Sequence, residues 1–158
     1  MNAWMPAIIA ATSAIFVALA GGLLTEIGPW YRDLRKPVWN PPDWVFGPVW
    51  SIIFLCAAIA GTFAWNGAQT QEMQTLVIAL FALNGTLNIA WSFLFFRLRR
   101  PDWALVENGF LWLSVLALMI ALTPVSATIG LLLAPYLLWV SIAFVLNWRI
   151  VALNPRNS

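Results

Sequence analysis

A chain of 158 residues with 62% apolar and only 9% charged side chains, net charge +2 and mean hydropathy +0.83 cannot cover itself with a water-facing shell, because soluble domains devote about 25% of their residues to charge. Lipid must be its outer solvent. The absence of histidine excludes a His-built metal site, a Ser-His-Asp triad and a Cys-His pair, the lone Cys56 excludes an internal disulfide, and basic residues set beside hydrophobic runs do not make a nucleic-acid surface.

A membrane helix needs about 20 mostly apolar residues. Residues 1–25 carry no charge and give a first span over 4–24. Ala18-Leu19-Ala20 looks like a cleavage box, but no Lys or Arg precedes it, so the segment is expected to remain as a helix rather than leave as a signal peptide. A second span is expected over 44–65, and a third over 74–96, closed by Arg97. Residues 108–148 are free of charge and too long for one helix. Thr123-Pro124-Val125-Ser126 is the break, since proline and short polar residues favour a turn. It leaves a fourth span over 102–122 and a fifth over 127–150. The expected fold is an all-α integral membrane protein, a five-transmembrane-helix bundle forming one domain over 1–158.

The cations test that count. Arg32, Arg35, Lys36, Arg97, Arg99, Arg100, Arg149 and Arg156 all fall in the first connection, the third connection or the C-terminal end. With five spans these three segments share one side of the membrane; four or six spans would scatter them. The positive-inside rule then places the C-terminus in the cytoplasm and the N-terminus outside.

One connection carries information. Residues 28–43 read GPWYRDLRKPVWNPPD, with Pro29, Pro37, Pro41 and Pro42 stiffening the backbone and Trp30, Tyr31, Trp39 and the following Trp44 supplying rigid faces. Two readings stand side by side: an aromatic belt at the headgroup level, favoured for Trp30, Trp44, Trp103 and Trp148, and a folded lid over the cytoplasmic end of the bundle.

Polar side chains in a membrane helix turn toward the bundle interior, because lipid offers them no partner. Asn84, Asn88, Trp91, Ser92 and Phe95 share a face of the third span; Tyr136, Trp139, Ala143 and Asn147 form a stripe on the fifth; Trp50 and Phe54 do so on the second. At a rise of about 1.5 Å per residue, Trp50, Asn88, Trp91 and Trp139 lie roughly 8–15 Å below the helix ends, beneath the Pro/Trp connection. An indole-walled cavity with a few amides suits a flat, mostly apolar ligand. The competing reading makes the asparagines interhelical hydrogen-bond glue, favoured for Asn84 and Asn147. Glu107 either snorkels to the interface or borders the cavity near Arg97 or Arg100. Ala14, Ala18 and Gly22, with Ala57 and Gly61, form small-residue stripes that serve packing within the bundle or a homodimer interface.

Three segments, WYRDLRKPVWNPPDWVFGPVW, LNGTLNIAWSFLFF and PYLLWVSIAFVLN, resemble the TspO/MBR family of tryptophan-rich sensory proteins and translocator proteins, in the right order over nearly the whole chain. The resemblance implies a pocket built from Tyr31, Trp50, Phe54, Asn88, Trp91, Trp139 and Ala143, with Trp39, Glu107 and Asn147 at its edge. It implies porphyrin or haem as ligand, with no required cofactor, and adds sterols and synthetic benzodiazepine ligands, a homodimer and a bacterial-type envelope membrane. A strict cholesterol motif is missing from the fifth span, where Tyr136 stands far from Arg149. Without histidine, only Tyr31, Tyr136, Cys56 or a methionine is left to ligate haem iron, so binding is expected to rest on stacking and burial. The alternatives to a sensor or translocator are light-dependent porphyrin degradation, with Trp50 and Trp139 as the reactive indoles, and a non-catalytic membrane partner whose aromatic cavity is only packing.

Overall fold

The computed structural model describes residues 3–155. Five helices in it are long and apolar enough to cross a membrane. Helix α1 runs over Met5–Leu24, α3 over Asp43–Gly67, α4 over Gln71–Ser92, α5 over Pro101–Leu122 and α6 over Ala127–Leu153, with a single short helix, α2, at Pro29–Asp33. The five expected spans are all present, and their ends differ by a few residues for local reasons. Helix α4 starts earlier because the Thr70 hydroxyl accepts the Met73 N–H at 3.1 Å. Pro101 opens α5 one residue early, where its missing N–H costs nothing. Helix α6 continues three residues beyond the expected end, to Leu153.

The break at Thr123–Ser126 is a tight turn, with the Ser126 hydroxyl accepting the Thr128 N–H at 3.3 Å. Gly130 is needed there, since a Cβ would sit 2.7 Å from Thr123 Oγ1.

At its C-terminal end α4 does not stop but widens into a π-helical turn, Phe93–Arg97. The slower rotation per residue turns the consecutive rings Phe95 and Phe96 inward together, and both are buried. The turn is closed by the Arg100 N–H bonding the Leu94 carbonyl, with Arg99 in the left-handed region at φ 53°.

Neighbouring helices pack as a closed ring, α1–α3–α6–α5–α4 and back to α1. Sequence order and spatial order therefore differ: α3 and α6 touch, although α4 and α5 separate them along the chain. The lower half of the ring is filled by Ile53, Ala60, Ala64, Val77, Leu111, Val115, Leu118, Leu122, Ile129, Leu133 and Val140. A second cluster, Tyr31, Leu34, Phe95, Phe96, Ala104, Leu146 and Ile150, closes the opposite end.

That end also gathers the cations. Arg97 Nη2 donates to the Leu23 carbonyl at 3.2 Å, the Arg99 guanidinium lies 6.0 Å from the Trp30 ring, and Arg100 makes a two-pronged pair with Asp102 at 2.9 and 2.6 Å. Arg32, Arg35 and Lys36 lie in the α1–α3 connection and Arg149 in the last turns of α6, so the described cations share one end of the bundle. Arg156 lies outside the described residues.

Candidate functional site

The ring forms a partly open cavity of about 580 Å³ beneath the cationic end, a size common for small-molecule pockets. All five long helices contribute walls, and Tyr31 of α2 forms part of the roof. Tyr31, Trp50, Phe54, Asn88, Trp91, Trp139 and Ala143 all line it, as does Asn147. Helical spacing brings these residues together from α3, α4 and α6. Phe46, Ser92, Phe95, Asn108 and Leu111 line it too.

The walls are aromatic and mutually braced. Trp50 stacks on Phe54 with centroids 5.4 Å apart and meets the edge of Tyr136 at 6.1 Å. Trp139 is held edge-to-face by Phe46 at 5.7 Å, and Trp91 stacks on Phe95 at 5.0 Å. Such pairs add about 0.5–1.5 kcal/mol beyond burial and fix the ring planes. Asp43 is the single charged residue of the lining, and no lysine or arginine lines the cavity.

Below the cavity a hydrogen-bonded chain links three helices. Asn88 Nδ2 donates to the Tyr136 hydroxyl at 2.9 Å, Tyr136 donates to Asn84 Oδ1 at 3.0 Å, Asn84 Nδ2 donates to the Ser114 hydroxyl at 2.9 Å, and Ser114 donates to the Leu111 carbonyl at 2.7 Å. The carbonyl can only accept, so it sets the polarity of every bond before it. Asn84 serves interhelical bonding, whereas Asn88 belongs to both the chain and the cavity wall. Asn147 likewise does both: its Oδ1 accepts the Trp91 indole N–H at 3.1 Å, and its Nδ2 donates to the Pro101 carbonyl at 3.0 Å. Tyr136 lies under the wall rather than in it.

The connection over the cavity is a lid in its first half. Pro29 starts α2, which turns Trp30 edge-on to Phe95 at 5.8 Å and lays Tyr31 against Phe96 at 5.6 Å. The Lys36 ammonium donates to the carbonyls of Tyr31 and Leu34 at 2.6 and 3.2 Å while sitting 4.4 Å above the Tyr31 ring. Burial lowers the Lys36 pKa, which Asp43 and Asp33 oppose; burial, then Asp43, raises that of the Tyr31 phenol. Trp30 thus belongs to the lid and not to an aromatic belt. Trp44, Trp103 and Trp148 project outward, more than half exposed, as belt residues do.

Two expected edge residues are elsewhere. Trp39 sits within the Pro37–Asn40 turn, which points it outward, and is exposed. Glu107 neither snorkels nor borders the cavity: both carboxylate oxygens are buried without a hydrogen-bond partner. Its neighbour Asn108 takes the cavity-facing position on α5, and one residue along a helix rotates a side chain by about 100°. The sequence reading missed Asn108 and Phe46. Asn108, buried and polar in a span, carried the same signal as Asn88 but had no aromatic stripe around it.

A sequence model of the TspO/MBR family matches residues 8–153. The chain is 40% identical over 141 residues to the tryptophan-rich protein TspO of Chlorobaculum tepidum, covering 88% of this chain and 89% of the relative. It is 34% identical to protein CrtK of Rhodobacter capsulatus, with 86% and 85% covered, and 35% identical to the translocator protein of Homo sapiens, with 76% and 73% covered. An aromatic cavity in a five-span bundle and these matches agree: the chain belongs to the TspO/MBR family of integral membrane sensor and translocator proteins.

Proposed function

We propose that this protein binds a porphyrin, with or without iron, in the cavity under the lid, as a sensor or translocator of tetrapyrroles. The observation that carries the reading is the wall itself: Trp50, Trp91 and Trp139, each fixed by a second aromatic ring, surround a volume large enough for a flat ligand. A macrocycle enclosed by these rings gains stacking and apolar burial. Iron is not needed for that. Tyr136 spends its hydroxyl on Asn84, neither Cys56 nor a methionine is among the lining residues, and burial keeps the lining Tyr31 phenol protonated rather than as the phenolate that iron would need, so protoporphyrin and haem bind with similar affinity.

The lid, with its cations, faces the cytoplasm of a bacterial-type envelope, as the positive-inside rule requires, and the protein acts as a homodimer. A sterol is a secondary ligand of the same apolar walls.

Quenching of tryptophan fluorescence by protoporphyrin in liposomes tests the reading. Saturable quenching is expected, with Trp50→Phe and Trp139→Phe each weakening affinity several-fold. Unchanged affinity in both variants would leave the cavity as packing alone.

Light-dependent porphyrin degradation is the second reading, favoured by the indoles of Trp50 and Trp139 among those lining one cavity. Irradiating the complex decides it: product formation lost in Trp50→Phe or Trp139→Phe, with binding retained, assigns the chemistry to those rings.

A further inference from the structure

Among the cavity-lining residues, Asn108 is set apart by its bonding. It is 1% exposed, it lines the cavity from α5, and its Oδ1 has no hydrogen-bond partner. The other carboxamides beside it are engaged: Asn88 with Tyr136, Asn147 with both Trp91 and Pro101. An amide oxygen buried without a partner is unfavourable by an amount comparable to a full hydrogen bond, and a span offers no water to repair it. The arrangement is accounted for if the partner arrives with a ligand.

We infer that the Asn108 carboxamide hydrogen-bonds an uncharged hydroxyl on the inner edge of the bound ligand, so that the cavity prefers flat apolar molecules hydroxylated at that edge. This rests on the proposed tetrapyrrole reading and adds to it an orientation and a selectivity.

A hydroxyl fits where an ion does not. No lysine or arginine lines the cavity, and its one charge is the carboxylate of Asp43, so a ligand carboxylate placed inside would lack a counter-ion and lose its hydration. Carboxylates therefore stay toward the lid, where Lys36 lies over Tyr31. The edge opposite them enters first. Asn108 is seven residues into α5 from Pro101, or about 10 Å below the helix end, a depth that such an edge reaches. A hydroxyl both donates and accepts, so it satisfies either face of a carboxamide that no protein bond holds in one orientation.

Haematoporphyrin and mesoporphyrin provide the probe pair. They share the macrocycle and both propionates and differ at the opposite edge, which carries two hydroxyethyl groups in one and two ethyl groups in the other. Dissociation constants are measured in the dark by tryptophan quenching in liposomes, for wild type, Asn108→Leu and Asn108→Ala. Wild type is expected to bind haematoporphyrin roughly five- to tenfold more tightly than mesoporphyrin, the range of one net hydrogen bond. In both variants the ratio is expected to fall to about one, with mesoporphyrin affinity held or improved and the thermal midpoint of the ligand-free protein not lowered. A wild type without preference, or a preference that survives both substitutions, overturns the inference while leaving porphyrin binding intact. Failure of both variants to fold also overturns it, because an amide without protein partners cannot be holding the bundle together. Absence of saturable binding by either porphyrin to wild type overturns the tetrapyrrole reading itself, and this inference with it.

Discussion

Asn154 and Arg35 hold each other through both halves of one carboxamide: the Arg35 N–H donates to Asn154 Oδ1 at 2.9 Å, and Asn154 Nδ2 donates to the Arg35 carbonyl at 2.8 Å and to Ile150 at 2.7 Å. This is where the lid is tied to the end of α6, across most of the chain. Replacing Asn154 by alanine leaves two lid backbone groups without their partner and is expected to weaken lid docking by about 1–3 kcal/mol. Porphyrin dissociation, followed by stopped-flow fluorescence, should then speed up about tenfold, with little change in the melting of the helices. An unchanged rate would mean that ligand leaves between helices and not past the lid.

The chain from Asn88 to Leu111 gives a second prediction. Interhelical hydrogen bonds in membranes average about 0.6 kcal/mol, but Tyr136→Phe removes the shared member of two bonds and leaves Asn84 Oδ1 and Asn88 Nδ2 unpaired. The expected loss is about 1–3 kcal/mol, read as a lowered midpoint of thermal unfolding in detergent. Combining it with Asn84→Leu should cost less than the sum of the two, since both break the same bond. Simple additivity would show that the chain does not act as a unit.

Lid docking is expected to depend on alkaline pH through Tyr31. Burial and the nearby Asp43 carboxylate raise its pKa in the docked lid above the ordinary tyrosine value, about 10. A group whose pKa is raised on docking favours the docked state fully below the undocked pKa, and that contribution fades as pH rises through the docked value. Protoporphyrin affinity should therefore fall above about pH 10 in wild type, and Tyr31→Phe should flatten that limb. The Tyr31→Phe profile keeps any contribution from Lys36 and so isolates the phenol.

The orientation is tested by cysteine accessibility in a Cys56→Ser background. An impermeant maleimide should label Arg35→Cys and Arg99→Cys only from the cytoplasmic face, and Gln69→Cys, in the α3–α4 connection, only from the other. Labelling of the first two from opposite sides would be incompatible with the five-span ring.

The five spans were legible because each is a long apolar run and lipid imposes one solution on such a run, a helix with its own hydrogen bonds satisfied. The cavity wall on α3, α4 and α6 was legible for a related reason: aromatic and amide side chains at helical spacing have a common direction whatever the helix packs against. Trp39 shows the limit. It has the same composition signal as Trp30, yet the proline turn that holds it points it outward, while Trp30, on α2, lies on Phe95. Glu107 and Asn108 show it again, because which of two adjacent polar residues faces the cavity depends on the rotation of α5 about its axis, and a nearly uniform apolar helix does not mark that rotation in sequence.

Composition and spacing alone determined that the chain lives in lipid, crosses it five times, gathers its cations at one end and carries indoles at matched depths, since each of these follows from local length, charge and periodicity. Only the tertiary structure decided that α3 closes the ring against α6, that α2 folds down as a lid tied to Asn154, and that Asn108 faces the cavity without a partner. Those depend on how helices distant in sequence are packed and turned, and packing between apolar surfaces is set by shape, which no short stretch of residues specifies.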